Sequence, residues 1–131
     1  MLKGFRTVSL ANQRERMKLL WPDFECKRHG SELVWTGSVK PSPSSTEYVV
    51  EVSYSVDRRP KVRIVSPLLV DPPKLSEIHR YKDGTLCLHL HEQWNQTFFM
   101  ADKIMPWILE WLVFYEGWLL TGEWLGGGEH P

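Results

Sequence analysis

Leu10, Gln13, Met17, Leu20 and Trp21 recur at the spacing of one helix face, and Asn12, Arg14, Glu15, Arg16 and Lys18 lie between them. Residues 7–21 are therefore expected to form an amphipathic helix, stopped at Pro22-Asp23 because proline cannot continue the hydrogen-bond ladder. The period then changes to two. Short extended runs are expected over residues 24–27, where Cys26 shares the apolar side with Phe24, and over residues 32–39 after a turn at Gly30-Ser31. The clearest strand covers residues 47–56, with Tyr48, Val50, Val52, Tyr54 and Val56 on one face and Glu47, Glu51, Ser53 and Ser55 on the other. Residues 61–65 repeat the alternation. Turn-rich connectors at 40–45 and 57–60 join these four runs, which predicts an antiparallel meander with one wet face.

Pro67, Pro72 and Pro73 interrupt any regular pattern between residues 66 and 86. Asp83-Gly84 then marks a tight bend, and Cys87 follows it closely. The last third reads as a long helix, with Asp102 as N-cap, Pro106 in or near the first turn, and an end near Thr121-Gly122. Lys103, Glu110 and Gly117 form one narrow polar stripe on it, so the helix is expected to be buried on most sides. Glu110 and Glu116 exclude a membrane span, each costing about 2.5 kcal/mol or more at a bilayer centre. Gly126-Gly127-Gly128 predicts a flexible tail from about residue 126. No internal repeat is evident.

A chain of 131 residues with 42% hydrophobic residues has the size of one domain, residues 1–131. Sixteen basic residues against 16 acidic ones leave no net charge, so no nucleic-acid or anionic-membrane partner is expected and recognition must be local. Two cysteines are too few for a disulfide framework, and the N-terminal sequence lacks the apolar run of a secretory signal, so the cytoplasm is the expected location. Cys26 reads as a small buried hydrophobe; a Cys26–Cys87 disulfide is disfavoured in that compartment. Cys87, just past a bend, is positioned for exposure, which a nucleophile requires because only a thiolate attacks.

His89 and His91 alternate with Cys87, so in an extended chain all three point one way. That arrangement offers a base beside the thiol, a metal site, or solvated histidines. Zinc takes three or four protein ligands and this cluster has no companion, so no metal and no cofactor is expected. The four tryptophans Trp107, Trp111, Trp118 and Trp124 lie among Glu110, Glu116 and Glu123 and not in a basic groove. That favours core packing and a protein-docking surface over base stacking.

The order of helix, four-stranded meander, proline-rich irregular segment, cysteine turn and long helix is similar to the ubiquitin-conjugating-enzyme fold, an α+β architecture. The similarity sharpens at Gly84-Thr85-Leu86-Cys87-Leu88, with Trp94 seven residues beyond the cysteine. More narrowly, Tyr81-x-Asp83-Gly84-x-Leu86-Cys87-Leu88, Ala101-Asp102-x-Ile104-x-Pro106-Trp107, Glu110-Trp111-Leu112, Tyr115-Glu116-x-Trp118-Leu119 and Thr121-Gly122-Glu123-Trp124-x-Gly126-Gly127-Gly128 resemble a bacterial branch of that superfamily. These are the ubiquitin-conjugating-like proteins of cyclic-oligonucleotide antiphage signalling operons, known as CBASS. Motifs carry the resemblance over residues 79–131; residues 5–78 share only the architecture.

The resemblance implies that Cys87 accepts the C-terminal glycyl group of a protein as a thioester and passes it to an amine. The implied partner is the cognate cyclic-nucleotide synthase, a nucleotidyltransferase similar to the animal DNA-sensor cyclase, engaged through its C-terminus; activation comes from a separate enzyme, or the protein works without it. The alternative is a non-catalytic binding module that stabilises or primes the cyclase. Eukaryotic members carry His-Pro-Asn before the cysteine; here His79-Arg80-Tyr81 is the nearest counterpart, without Pro or Asn. His79 and Tyr81 are candidate donors to a developing oxyanion, an effect worth about 3 kcal/mol for one good donor. Otherwise His79 packs or caps a turn and Tyr81 fills the groove. His89 is a further candidate supporting residue, with Gln93 and Asn95 weaker donors.

Overall fold

The computed structural model describes residues 7–88 and 94–126. Helix α1 (Leu10–Leu20) is followed by strands β1 (Glu25–His29), β2 (Glu32–Val39), β3 (Tyr48–Tyr54) and β4 (Lys61–Ser66), a 3-10 turn at Leu75–Ile78, and helix α2 (Met100–Thr121). The strands form one antiparallel sheet in chain order β1-β2-β3-β4, the expected meander. The α+β architecture, with a helix before the sheet and a long helix after it, also agrees with expectation.

Local chemistry explains most boundaries. Ser9 caps α1 by accepting from the Asn12 N–H, so the helix starts three residues later than residue 7. Residues 48, 50, 52 and 54 of β3 are buried while 49, 51 and 53 are half-buried. The strand stops at Tyr54, short of Val56, because Ser55 turns the chain: its Oγ donates to Asp57 at 2.5 Å and its carbonyl accepts from Arg58 N–H. Burial flips accordingly, with Ser55 inside and Val56 outside. Gly37 in β2 lets the Phe24 ring lie against the backbone, where a Cβ would sit 2.6 Å from the ring.

Trp35, Val50, Val52, Tyr54 and Val62 from the sheet share one buried cluster with Ile104, Met105, Ile108 and Leu112 of α2. Each fully buried aliphatic side chain contributes about 1.5–3 kcal/mol. Helix α2 starts two residues before Asp102, with Phe99 at the N-cap, and Pro106 falls in its second turn. The cap comes from elsewhere. Gln13 is fully buried; its Oε1 accepts from the Met100 N–H and its Nε2 donates to the Phe98 carbonyl, both at 2.8 Å. Asp102, in the first turn where a carboxylate suits the helix dipole, instead accepts two 3.0 Å bonds from Arg16.

Helix α2 is less enclosed than its composition suggests. Its outward stripe carries Val113 and Leu120, 50% and 88% exposed, besides Lys103 and Glu110. Glu116 accepts from Tyr48 and Ser45 hydroxyls, each at 2.8 Å, fastening the helix to β3 and to the proline-serine loop. Gly122, in the left-handed conformation, ends the helix as expected. Beyond it Trp124 folds back against Trp111 and Phe114, and Gly126 lies within close contact of Phe114, so order extends through residue 126. The rest of the glycine-rich tail lies outside the described residues.

Candidate active site

The cysteine segment is built around one short antiparallel bridge. The 3-10 turn ends at His79, whose φ of 54° reverses the chain and whose N–H returns to the carbonyls of Leu75 and Ser76. Tyr81 N–H donates to Thr85 O at 2.8 Å, and Gly84 N–H to Tyr81 O at 2.9 Å. Gly84 takes φ 88°, a conformation that disfavours other residues. Asp83 Oδ1 accepts from both the N–H and the hydroxyl of Thr85, at 2.9 and 2.6 Å, which holds its carboxyl below the usual range. Arg80 then pairs with Leu86.

Two bonds decide where the cysteine goes. Leu86 N–H donates to Val62 O of β4 at 2.9 Å, and Cys87 N–H to His79 O at 2.8 Å. Trp111 Nε1 from α2 donates to the same His79 carbonyl at 3.2 Å and to Ile78 O at 3.1 Å. The bend therefore does not hold Cys87 away from the body. It is drawn against the sheet edge and keeps only 9% of its surface exposed, contrary to the open thiol expected from its position after a bend.

Tyr81 lies close to the thiol: burial first, and then the neighbouring Cys87, raise the phenol above its ordinary pKa, so it stays protonated. On the other side Arg59 donates to Tyr81 Oη at 3.3 Å and lies over the ring at 5.7 Å. Arg59 was missed, because in the sequence Arg58-Arg59-Pro60 reads only as a turn between strands.

His79 is 5% exposed; its ring stacks on Trp124 at 5.3 Å with a 24° tilt, and its backbone, not its ring, is what the cysteine N–H meets. Its ring packs on Trp124 and its backbone caps the 3-10 turn. His89, with His91 and Gln93, lies outside the described residues. Asn95 accepts from the Thr97 N–H at 2.8 Å in a local turn, and Trp94 packs edge-on against Tyr54 and Phe98. Among the described residues no group of three or more His, Cys, Asp or Glu side chains is placed to hold a metal. Cys26 is half-buried, not fully buried, and burial pushes its thiol pKa up; both cysteines are free thiols.

Alongside the cysteine segment lies a cleft of about 1200 Å³, walled by the β3–β4 loop, residues 73–76 and the turn at 80–83. Tyr81 is part of that wall, as are Leu86 and Leu88 on either side of Cys87.

A meander flanked by two helices, with a cysteine bridge docked on the outer edge of its last strand, is the architecture of a ubiquitin-conjugating-like domain. Within that class the chain belongs to the family described as Type II CBASS E2 protein, whose model matches residues 13–131. Membership assigns it a role in CBASS antiphage defence, alongside the cyclase machinery of that system, and a conjugating-enzyme-like character. No curated protein matches the chain. No helix among the described residues is long and apolar enough to cross a membrane.

Proposed function

We propose that the protein is a cysteine acyl carrier: Cys87 takes the C-terminal glycyl group of the cognate cyclic-nucleotide synthase as a thioester and promotes its conjugation. The Cys87 thiolate attacks the activated glycyl carbonyl, the C–S bond forms, and the activating group leaves with its electron pair. An amine then attacks the thioester; the C–N bond forms, the C–S bond breaks, and the sulfur leaves as thiolate while the amine loses a proton. The reaction needs a free thiol and so suits a reducing cytoplasm. The observation that carries this reading is Cys87 in the segment Gly84-Thr85-Leu86-Cys87-Leu88, drawn onto the sheet edge next to the cleft that Leu86, Leu88 and Tyr81 line. A protonated phenol such as Tyr81, close to the thiol, stabilises the oxyanion of the attacked carbonyl.

The 9% exposure of Cys87 favours a second reading, a binding module that stabilises or primes the cyclase without acyl transfer. Intact-mass measurement on the protein co-purified with its synthase separates the two. A carrier gives a species equal to both chains less one water, cleaved by hydroxylamine and absent in Cys87→Ala, and phage protection falls with it. Full protection by Cys87→Ala, with no such species in the wild type, refutes the carrier.

A further inference from the structure

Charge is balanced over the whole chain but not within the cleft beside the cysteine segment. Its lining carries Arg58, Arg59, Lys61, Lys74, Arg80 and Lys82. Asp83 is the single carboxylate among the described lining residues, and it is engaged by Thr85. Two further carboxylates reach in from outside the lining: Glu32 pairs with Arg58, and Asp71 with Arg80 at 2.5 Å. Six cations thus meet three carboxylates. Lys74 and Lys82 make no ion pair among the described residues, and both are exposed. Concentrating like charge in a concave site is unfavourable by itself and focuses a positive potential into the cleft.

The walls between the charges are apolar: Pro60, Pro73, Leu75, Leu86 and Leu88. Apolar walls with charges at intervals suit an extended polypeptide, which presents side chains of both kinds. A single-stranded nucleic acid needs aromatic faces on which bases stack. The aromatic side chain of this lining is Tyr81, and the Arg59 guanidinium already lies over its ring.

We infer that this cleft binds an acidic, extended peptide segment, namely the residues that precede the terminal glycine of the acyl donor, and thereby leads that glycine to Cys87. The inference rests on the acyl-carrier reading for the identity of the peptide, while the charge preference rests on the cleft alone. Leu86 and Leu88, the chain neighbours of Cys87, both line the cleft and mark the end of the track.

Fluorescein-labelled short peptides ending in a free glycine carboxylate, one with alternating glutamates and one with alternating glutamines, are titrated with the full chain and followed by anisotropy. The glutamate peptide is expected to bind roughly tenfold more tightly at low salt, from several exposed pairs of modest strength. That advantage shrinks as salt shortens the screening length. It disappears in the Lys74→Glu/Lys82→Glu double variant, whose unchanged melting temperature shows that the fold is intact, and persists in Cys87→Ala. Equal binding of the two peptides, or a preference that survives the charge reversal, overturns the inference. So does labelled oligothymidylate that binds more tightly than the glutamate peptide and displaces it. Because peptide binding is read in Cys87→Ala, the two readings fail separately: an acidic preference without any adduct refutes the acyl carrier, and an adduct without the preference refutes the cleft.

Discussion

Gln13→Leu removes a side chain that joins two parts of the chain 87 residues apart. Gln13 and Met100 are both fully buried, and the amide serves the Met100 N–H and the Phe98 carbonyl through 2.8 Å bonds. Leucine has a similar volume, so the cavity term is small; what remains is a backbone donor and a backbone acceptor shut away from water at the start of α2. Each such group costs about 1–3 kcal/mol, giving a loss of roughly 2–6 kcal/mol. In a domain of this size that lowers the melting temperature by on the order of 10 °C or more. Calorimetry, with urea unfolding to confirm an unchanged m-value, measures it. Gln13→Glu adds a control with a sign: the carboxylate still accepts from Met100 but repels the Phe98 carbonyl, whereas the protonated acid donates to it. The deficit of Gln13→Glu should therefore shrink as the pH falls through the acid's titration. A Gln13→Leu midpoint within about 2 °C of wild type, or a Gln13→Glu deficit independent of pH, refutes the trans-capping argument.

Tyr48 donates to Glu116 at 2.8 Å, and burial with that bond raises its pKa strongly. Its folded pKa exceeds the unfolded value, so its contribution is complete below about pH 10 and is lost as the pH climbs from there toward the raised value. Tyr48→Phe should flatten that alkaline fall in urea-measured stability and cost about 1–2 kcal/mol at neutral pH. At the candidate site, Tyr81→Phe should slow adduct formation roughly 10–100-fold, the worth of one bond to a charged group. An unchanged rate of adduct formation removes Tyr81 from the chemistry.

How far these features can be read from the chain depends on the distance over which each is decided. The alternation at Tyr48, Val50, Val52 and Tyr54, the span of β2, the bend at Asp83-Gly84 and the stop at Gly122 follow from neighbours a few residues apart, and all were legible. The start of α2 was not. Asp102 looked like a cap by residue type, but the cap is Gln13, supplied by another helix. Glu116 looked like a polar intruder in an apolar run until Tyr48 and Ser45 accounted for it.

The candidate site divides the same way. Residue order alone shows the bend, with an aromatic before it and a cysteine after it, because those depend on side-chain type and local backbone sterics, whereas Cys87 becomes the candidate nucleophile only through the resemblance to a known family. Tertiary structure alone decides that Cys87 is nearly covered, since the bonds to Val62 and His79 pull its segment onto the sheet edge. It also decides that Arg59 backs Tyr81, and that a chain of zero net charge gathers six of its cations in one cleft. Periodicity and turn chemistry act along the chain, whereas the exposure of an atom and the sum of the charges around it depend on which distant segments fold beside it.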